Sequence, residues 1–170
     1  MNLSLAGRNE FFASNCDAIS QPMADAIAQL KSLRVATVIS TGNLSKRTAI
    51  GFPACMSQSI KVAASDKHTG AFATFSNAAP PNTFSGPMFV APGTSIYTSV
   101  PSGSCDYFNG TSFAAPHVAG LYAIVKAIFP GISVDSVSAY FLTEASVPVD
   151  VPVSAPTLPY TLQLVIVPTY

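Results

Sequence analysis

Charge is the scarcest commodity in this chain. Asp, Glu, Lys and Arg make up 9% of its 170 residues, against about a quarter in ordinary soluble proteins. Eight cationic and eight anionic side chains cancel, which leaves no basic face for nucleic acid and no acidic tail. No apolar run approaches the roughly 20 residues that span a bilayer, so no membrane segment is expected. A cationic start followed by an apolar stretch is also missing, so no signal peptide is visible in these residues. Tryptophan is absent, and histidine occurs only as His68 and His117. The three cysteines, Cys16, Cys55 and Cys105, show no C-x-x-C spacing, and those two histidines alone could join them, so no zinc site is expected. The acidic residues Glu10, Asp17, Asp25, Asp66, Asp106, Asp135, Glu144 and Asp150 are scattered rather than clustered, which argues against calcium. No metal and no cofactor is therefore expected. Two states of the cysteines stay open: three reduced buried thiols, or one disulfide with a free thiol, for which Cys16–Cys55 is the preferred pair.

What the chain has in quantity is apolar residues, 49% of the total, in a length sufficient for one domain with a core. The order of patterns is strand, helix, strand. Asn2–Leu5 reads as a short strand. Ser20-Gln21-Pro22 opens a helix whose Met23, Ala26, Ile27, Leu30 and Leu33 recur at helical spacing. Val35–Ile39 reads as a continuous apolar run, as a parallel strand covered on both faces requires, and Ile60–Ala64 and Met88–Ala91 read as two more buried strands. Shorter strands are expected at Phe72–Phe75, Ser95–Ser99 and Cys105–Phe108. A second helix follows Ser112 and stops at Pro130-Gly131; being apolar on almost every face, it is expected to be buried. Ser133 caps a third helix through Phe141. From Val147 prolines recur, and Tyr160–Val167 reads as an edge strand. The expectation is an α/β fold, a partial doubly wound and mostly parallel sheet flanked by helices. Residues 1–146 form the folded unit and 147–170 a Pro-rich tail.

The most specific segment is Gly110-Thr111-Ser112-Phe113-Ala114-Ala115-Pro116-His117-Val118-Ala119-Gly120. It places a hydroxyl at the mouth of an apolar helix, where exposed N–H groups and the helix dipole favour negative charge. Gly110-Thr111 makes a tight turn, and Pro116 is expected in the first helical turn, where its missing N–H costs nothing. The segment resembles the nucleophile motif of the subtilisin-like serine proteases, the subtilases, which write Gly-Thr-Ser-x-Ala/Ser-x-Pro and then His-Val-Ala-Gly. Asn2-Leu3-Ser4-Leu5-Ala6-Gly7 is similar to that family's Asn-x-Ser-Leu-Gly-Gly strand. The likeness runs from about Asn2 to about Leu142, and implies the C-terminal portion of a subtilisin-like catalytic domain without its N-terminal strands.

That resemblance implies roles. Ser112 is the nucleophile of a serine endopeptidase that cleaves peptide bonds through an acyl-enzyme. Asn43, in Ser40-Thr41-Gly42-Asn43 after the Val35–Ile39 strand, donates to the oxyanion together with the Ser112 N–H. Ser4, Leu5 and Ala6 form one wall of the substrate site, Ser40, Thr41 and Gly42 the other, with Gly51 at its floor. Ala6 stands where the family has glycine, so its methyl narrows the pocket. Polypeptide is the implied substrate and a secreted location is implied by the family. The family's catalytic aspartate and histidine precede the Asn-x-Ser-Leu strand and do not occur in these residues. His117 is no substitute: five positions along the same helix, it lies about 140° round and roughly 7.5 Å up the axis from Ser112. His68, in Asp66-Lys67-His68-Thr69-Gly70, belongs to a turn. The chain is therefore expected to be inactive alone, its partner being the missing N-terminal half. The alternative of the same ancestry is a truncated remnant that at most binds extended peptides. An α/β-hydrolase elbow, suggested by Gly110-x-Ser112-x-Ala114, requires an acid and then a histidine after the serine, and His117 is excluded by geometry.

Overall fold

A computed structural model describes residues 1–7, 10–101, 103–153 and 159–165. Its centre is a six-stranded sheet built from β1 (Asn2–Leu3), β3 (Val38–Ser40), β5 (Ile60–Ser65), β6 (Met88–Pro92), β10 (Tyr160–Val165) and β9 (Ser146–Val151), in that spatial order. All neighbouring pairs are parallel except β9 with β10. Two small antiparallel pairs accompany it: β2 (Phe11–Phe12) with β4 (Ile50–Gly51), and β7 (Ile96–Ser99) with β8 (Cys105–Phe108). The helices are α1 (Gln21–Ser32), α2 (Thr111–Ile128) and α3 (Val134–Thr143).

The apolar runs form inner strands because both of their faces are covered. Successive side chains alternate between faces, and the packing follows that alternation. Val38, Val62, Ala64, Phe89 and Ala91 pack with Val118, Tyr122, Val137 and Phe141 of α2 and α3. Ile39 instead joins Ala24 and Ile27 of α1, while Ala63 and Val90 join Val149, Val151 and Leu162. Each large apolar side chain fully buried in this way contributes about 1.5–3 kcal/mol. Cys16 and Cys55 form a disulfide beneath α1, and Cys105 is a free, exposed thiol.

Several sequence expectations need correction. Phe72–Phe75 is not a strand; only one bridge, Ser65 with Phe72, forms there. The Arg47 guanidinium takes the carbonyls of Thr74 and Ser76, so these groups are drawn to a side chain rather than to a ladder. Tyr160–Val165 is not an edge strand, because β6 lies on one side and β9 on the other; Ile166 and Val167 lie outside the described residues. Helix α2 is not buried all round: Ile124, Ile128 and Phe129 are exposed, since nothing among the described residues covers that face. Pro116 falls inside α2, in its second turn, because the helix already begins at Thr111. Helix α1 buries Ala24 and Ile27, whereas Leu33 is 66% exposed beyond its end.

Candidate active site

The corner that carries Ser112 is built by close backbone approach. Gly110 donates its N–H to Gly93 O at 2.8 Å. A Cβ on Gly93 would lie 2.6 Å from Ala64 Cβ and 2.8 Å from Gly110 O, so only glycine admits this contact. It fixes the start of α2 against the ends of β5 and β6.

Gly110 has no side chain with which to cap α2, and the cap comes from a distant loop. Asn43 Oδ1 accepts the Thr111 N–H at 2.9 Å and the Thr111 hydroxyl at 2.8 Å, and the same hydroxyl oxygen accepts the Gly42 N–H at 3.1 Å. With the carboxamide oxygen so engaged, the Asn43 Nδ2 is left as a donor with no acceptor among the described residues. A Cβ on Gly110 would lie 3.3 Å from that nitrogen. Ser112 is the second residue of α2, where a backbone N–H has no partner within the helix. Asn43 Nδ2 and the Ser112 N–H therefore both belong to the start of α2.

Ser112 Oγ donates to Ser4 O at 3.3 Å, and Ser4 Oγ donates to Ser112 O at 2.6 Å. The second bond follows from the internal proline. Pro116 has no N–H, so the carbonyl four residues earlier, that of Ser112, loses its helical donor and takes the Ser4 hydroxyl instead. His117 is exposed and its Nδ1 lies 2.8 Å from Phe113 O, on its own helix. His68 sits in a turn organised by Asp66, which accepts N–H bonds from His68 and Thr69 and the Thr69 and Thr94 hydroxyls. These bonds, led by that from the Thr69 N–H, hold the Asp66 carboxyl well below its usual range. Neither histidine is bonded to Ser112.

The expected wall residues converge on Ala6. Cβ atoms built on Gly42 and Gly51 would lie 3.8 and 3.5 Å from the Ala6 Cβ. Ser40 Oγ donates to Leu5 O at 3.3 Å, linking the two walls. Thr41 faces inward: it is fully buried, and its hydroxyl bonds to Asn77 O at 2.7 Å and Val62 O at 3.2 Å. Gly51 N–H donates to Thr41 O at 2.9 Å. Asn77 was invisible to sequence reasoning. Buried, it accepts the Leu44 and Lys46 N–H groups through Oδ1 and donates from Nδ2 to Thr41 O, which sets the loop that carries Asn43. No local pattern announces it, since its partners lie some thirty residues earlier.

Comparison with known proteins places this geometry. The Subtilase family's sequence model matches residues 1–160. Over 137 residues the chain is 32% identical to subtilisin DY of Bacillus licheniformis, covering 81% of this chain and 46% of that protein. It is 38% identical over 107 residues to the alkaline elastase YaB of Bacillus sp. (strain YaB), covering 63% of this chain and 26% of the elastase. A crystal structure of a cold adapted subtilisin-like serine proteinase superposes with a TM-score of 0.70 at 22% identity, covering 97% of this chain and 53% of that one. The chain belongs to the Subtilase family, a family of serine proteases, and its α/β architecture is the subtilisin-like fold. It spans about half, or less, of the length of these relatives. No helix among the described residues is long and apolar enough to cross a membrane.

Proposed function

We propose that this chain supplies the nucleophile and oxyanion site of a serine endopeptidase whose acid and base lie on a separate N-terminal segment. The observation that carries the reading is the Asn43–Thr111 bond pair, which engages the carboxamide oxygen and leaves its NH₂ group as a donor near Gly110 at the start of α2. In this reading Ser112 Oγ attacks the peptide carbonyl while the base on the complementing segment takes its proton. Asn43 Nδ2 and the Ser112 N–H hold the tetrahedral oxyanion, and the base returns the proton to the leaving amine. Water then releases the acyl group. Extended substrate pairs along Ser4, Leu5 and Ala6, as peptides do on a free sheet edge. The Ala6 methyl, facing Gly42 and Gly51, favours small side chains before the scissile bond. The alkaline elastase among the relatives fits that preference. The Cys16–Cys55 disulfide supports an oxidising, secreted setting.

Alone, the chain holds Ser112 Oγ against the Ser4 carbonyl, and no base is bonded to it among the described residues. Loss of serine or histidine lowers turnover about 2 × 10⁶-fold, a magnitude known from subtilisin itself. The test is labelling by a fluorophosphonate probe. The expected result is no stoichiometric labelling of the chain alone and labelling of Ser112 once the N-terminal portion of subtilisin DY is co-folded with it. Asn43→Ala in that complex lowers turnover by about 10²–10³-fold, again a subtilisin-derived magnitude. A folded complex in which Ser112 stays unlabelled leaves only a peptide-binding remnant.

A further inference from the structure

Four positions after Asn43, one residue ties the loop to the last two strands of the chain. The Arg47 guanidinium donates from Nε to Pro152 O at 3.2 Å, from Nη2 to Thr74 O at 2.6 Å, and from Nη1 to Ser76 O. Its Cζ stands over the Phe72 ring, 5.0 Å from the centroid. In the other direction the Tyr160 hydroxyl donates to Arg47 O at 2.6 Å. Burial holds that hydroxyl's pKa above its usual range, with Arg47 acting in the opposite sense, so it remains a donor at neutral pH. Val151 and Tyr160 pair across β9 and β10, and Pro152 follows Val151, so Arg47 meets both strands at one level. No carboxylate among the described residues pairs with the guanidinium. Neutral carbonyls from two separate segments surround it instead. A planar fork of five donors suits such a set, and a lysine ammonium does not.

The segment that Arg47 holds is also the one that shapes the Asn43 loop. Phe75 O, between the two carbonyls on Arg47, accepts the Ser45 N–H at 2.8 Å. Asn77, next after Ser76, accepts the Leu44 and Lys46 N–H groups and donates its own N–H to Gly42 O at 2.8 Å. The Ala78 N–H donates to Lys46 O at 2.8 Å. Gly42, Leu44, Ser45 and Lys46 are thus all bonded to residues 75–78, and Asn43 sits between them. We propose that Arg47 is a positioning residue for the oxyanion donor: by clamping residues 74–76 and the 42–47 loop to β9 and β10, it sets where the Asn43 carboxamide meets Thr111. This rests on the oxyanion role given to Asn43 above, and it makes the last two strands of the chain part of that site's support.

The experiment reads the full chain by NMR and so needs no activity. Tyr160→Phe removes one hydroxyl, and Arg47→Lys keeps the charge while losing the fork. Ile27→Ala, in the separate core under α1, controls for loss of stability. In the Tyr160 and Arg47 variants the Asn43 side-chain NH₂ and Thr111 N–H resonances are expected to move. Thr111 N–H exchange with water is expected to rise about three- to tenfold, the scale of one lost hydrogen bond. Ile27→Ala is expected to lower the urea midpoint and leave both resonances in place. Shifts confined to residues 74–76, 152 and 160 overturn the proposal, as does an equal movement in Ile27→Ala. Where Arg47→Lys does not fold, Tyr160→Phe decides alone. In the complex with the N-terminal portion of subtilisin DY, both variants are expected to lower kcat and leave KM unchanged; an unchanged kcat in a labelled complex overturns the proposal. A complex whose Ser112 the fluorophosphonate does not label sinks the proposed function instead, and the NMR result still decides whether Arg47 positions Asn43.

Discussion

The two ends of the six-stranded sheet are finished differently. At one end β9 lies antiparallel along all of β10, six residues against six. Its inward side chains Val149 and Val151 are buried with Leu162 and Phe72, while Pro148 and Asp150 stand exposed. A proline and a charge on an outer strand are what discourages further pairing. At the other end β1 pairs with β3 over two residues only, and no strand lies beyond it among the described residues. Leu5 is 60% exposed there, and a cavity of about 230 Å³ opens between Met1, Val35, Val38, Ala119, Tyr122 and Ala123. Helix α2 adds Ala123 and Lys126 to the lining of that cavity. One edge is built to meet water, and the other has the surface of an interior.

The sharpest way to break that contrast is to cover the open end. Adding the N-terminal portion of subtilisin DY is expected to raise peptide hydrolysis by about six orders of magnitude, the subtilisin value for restoring a lost base. Ala123→Glu, on the open flank, should cut that gain at least about tenfold, or 1.4 kcal/mol of association. The same change should leave the chain's own urea midpoint nearly unmoved, within about 0.5 kcal/mol, as surface substitutions do. An equal loss in both assays would mean that the open end is merely surface. Next in size is the closed end. Leu162→Ala should lower unfolding free energy by about 2–5 kcal/mol, with Leu5→Ala as the near-neutral counterpart. The smallest effect concerns the Asp66 turn, whose Gly70 packs toward Leu164 of β10, a Cβ there lying 3.3 Å from Leu164 Cδ2. The folded Asp66 pKa is held below its ordinary 3.8. Its contribution is therefore complete above that value and lost as pH falls below about 4. Asp66→Asn should remove that contribution at neutral pH and so flatten that part of the acid-unfolding curve, with the two proteins converging at low pH.

The inner strands were legible because β5 and β6 are mostly apolar, Lys61 apart, and period and length are enough to recognise such runs. The family was legible through the eleven-residue motif that opens α2, and the resemblance pointed to Asn43, whose Oδ1 accepts the Thr111 N–H at the start of that helix. Less could be read where a side chain from elsewhere decides the backbone. Phe72–Phe75 has strand composition, but Arg47 claims the carbonyls of Thr74 and of Ser76 just beyond it. Pro116 looked harmless at a helix start that in fact lies one turn earlier. Strand β9 was missed because Pro148 and Pro152 mask the alternation of Val147, Val149 and Val151. Lys61 is the instructive case. A lone cation inside an apolar run is itself a signal, yet the run read as a strand whether or not it was weighed.

The proline inside α2 has one last consequence. By removing a rung from the helical ladder it hands the nucleophile's own carbonyl to Ser4, on the segment along which a peptide would lie. Ser4 O accepts the Ser112 hydroxyl in return, so the segment after β1 and the first turn of α2 are held together by two bonds and a shift of one carries the other along.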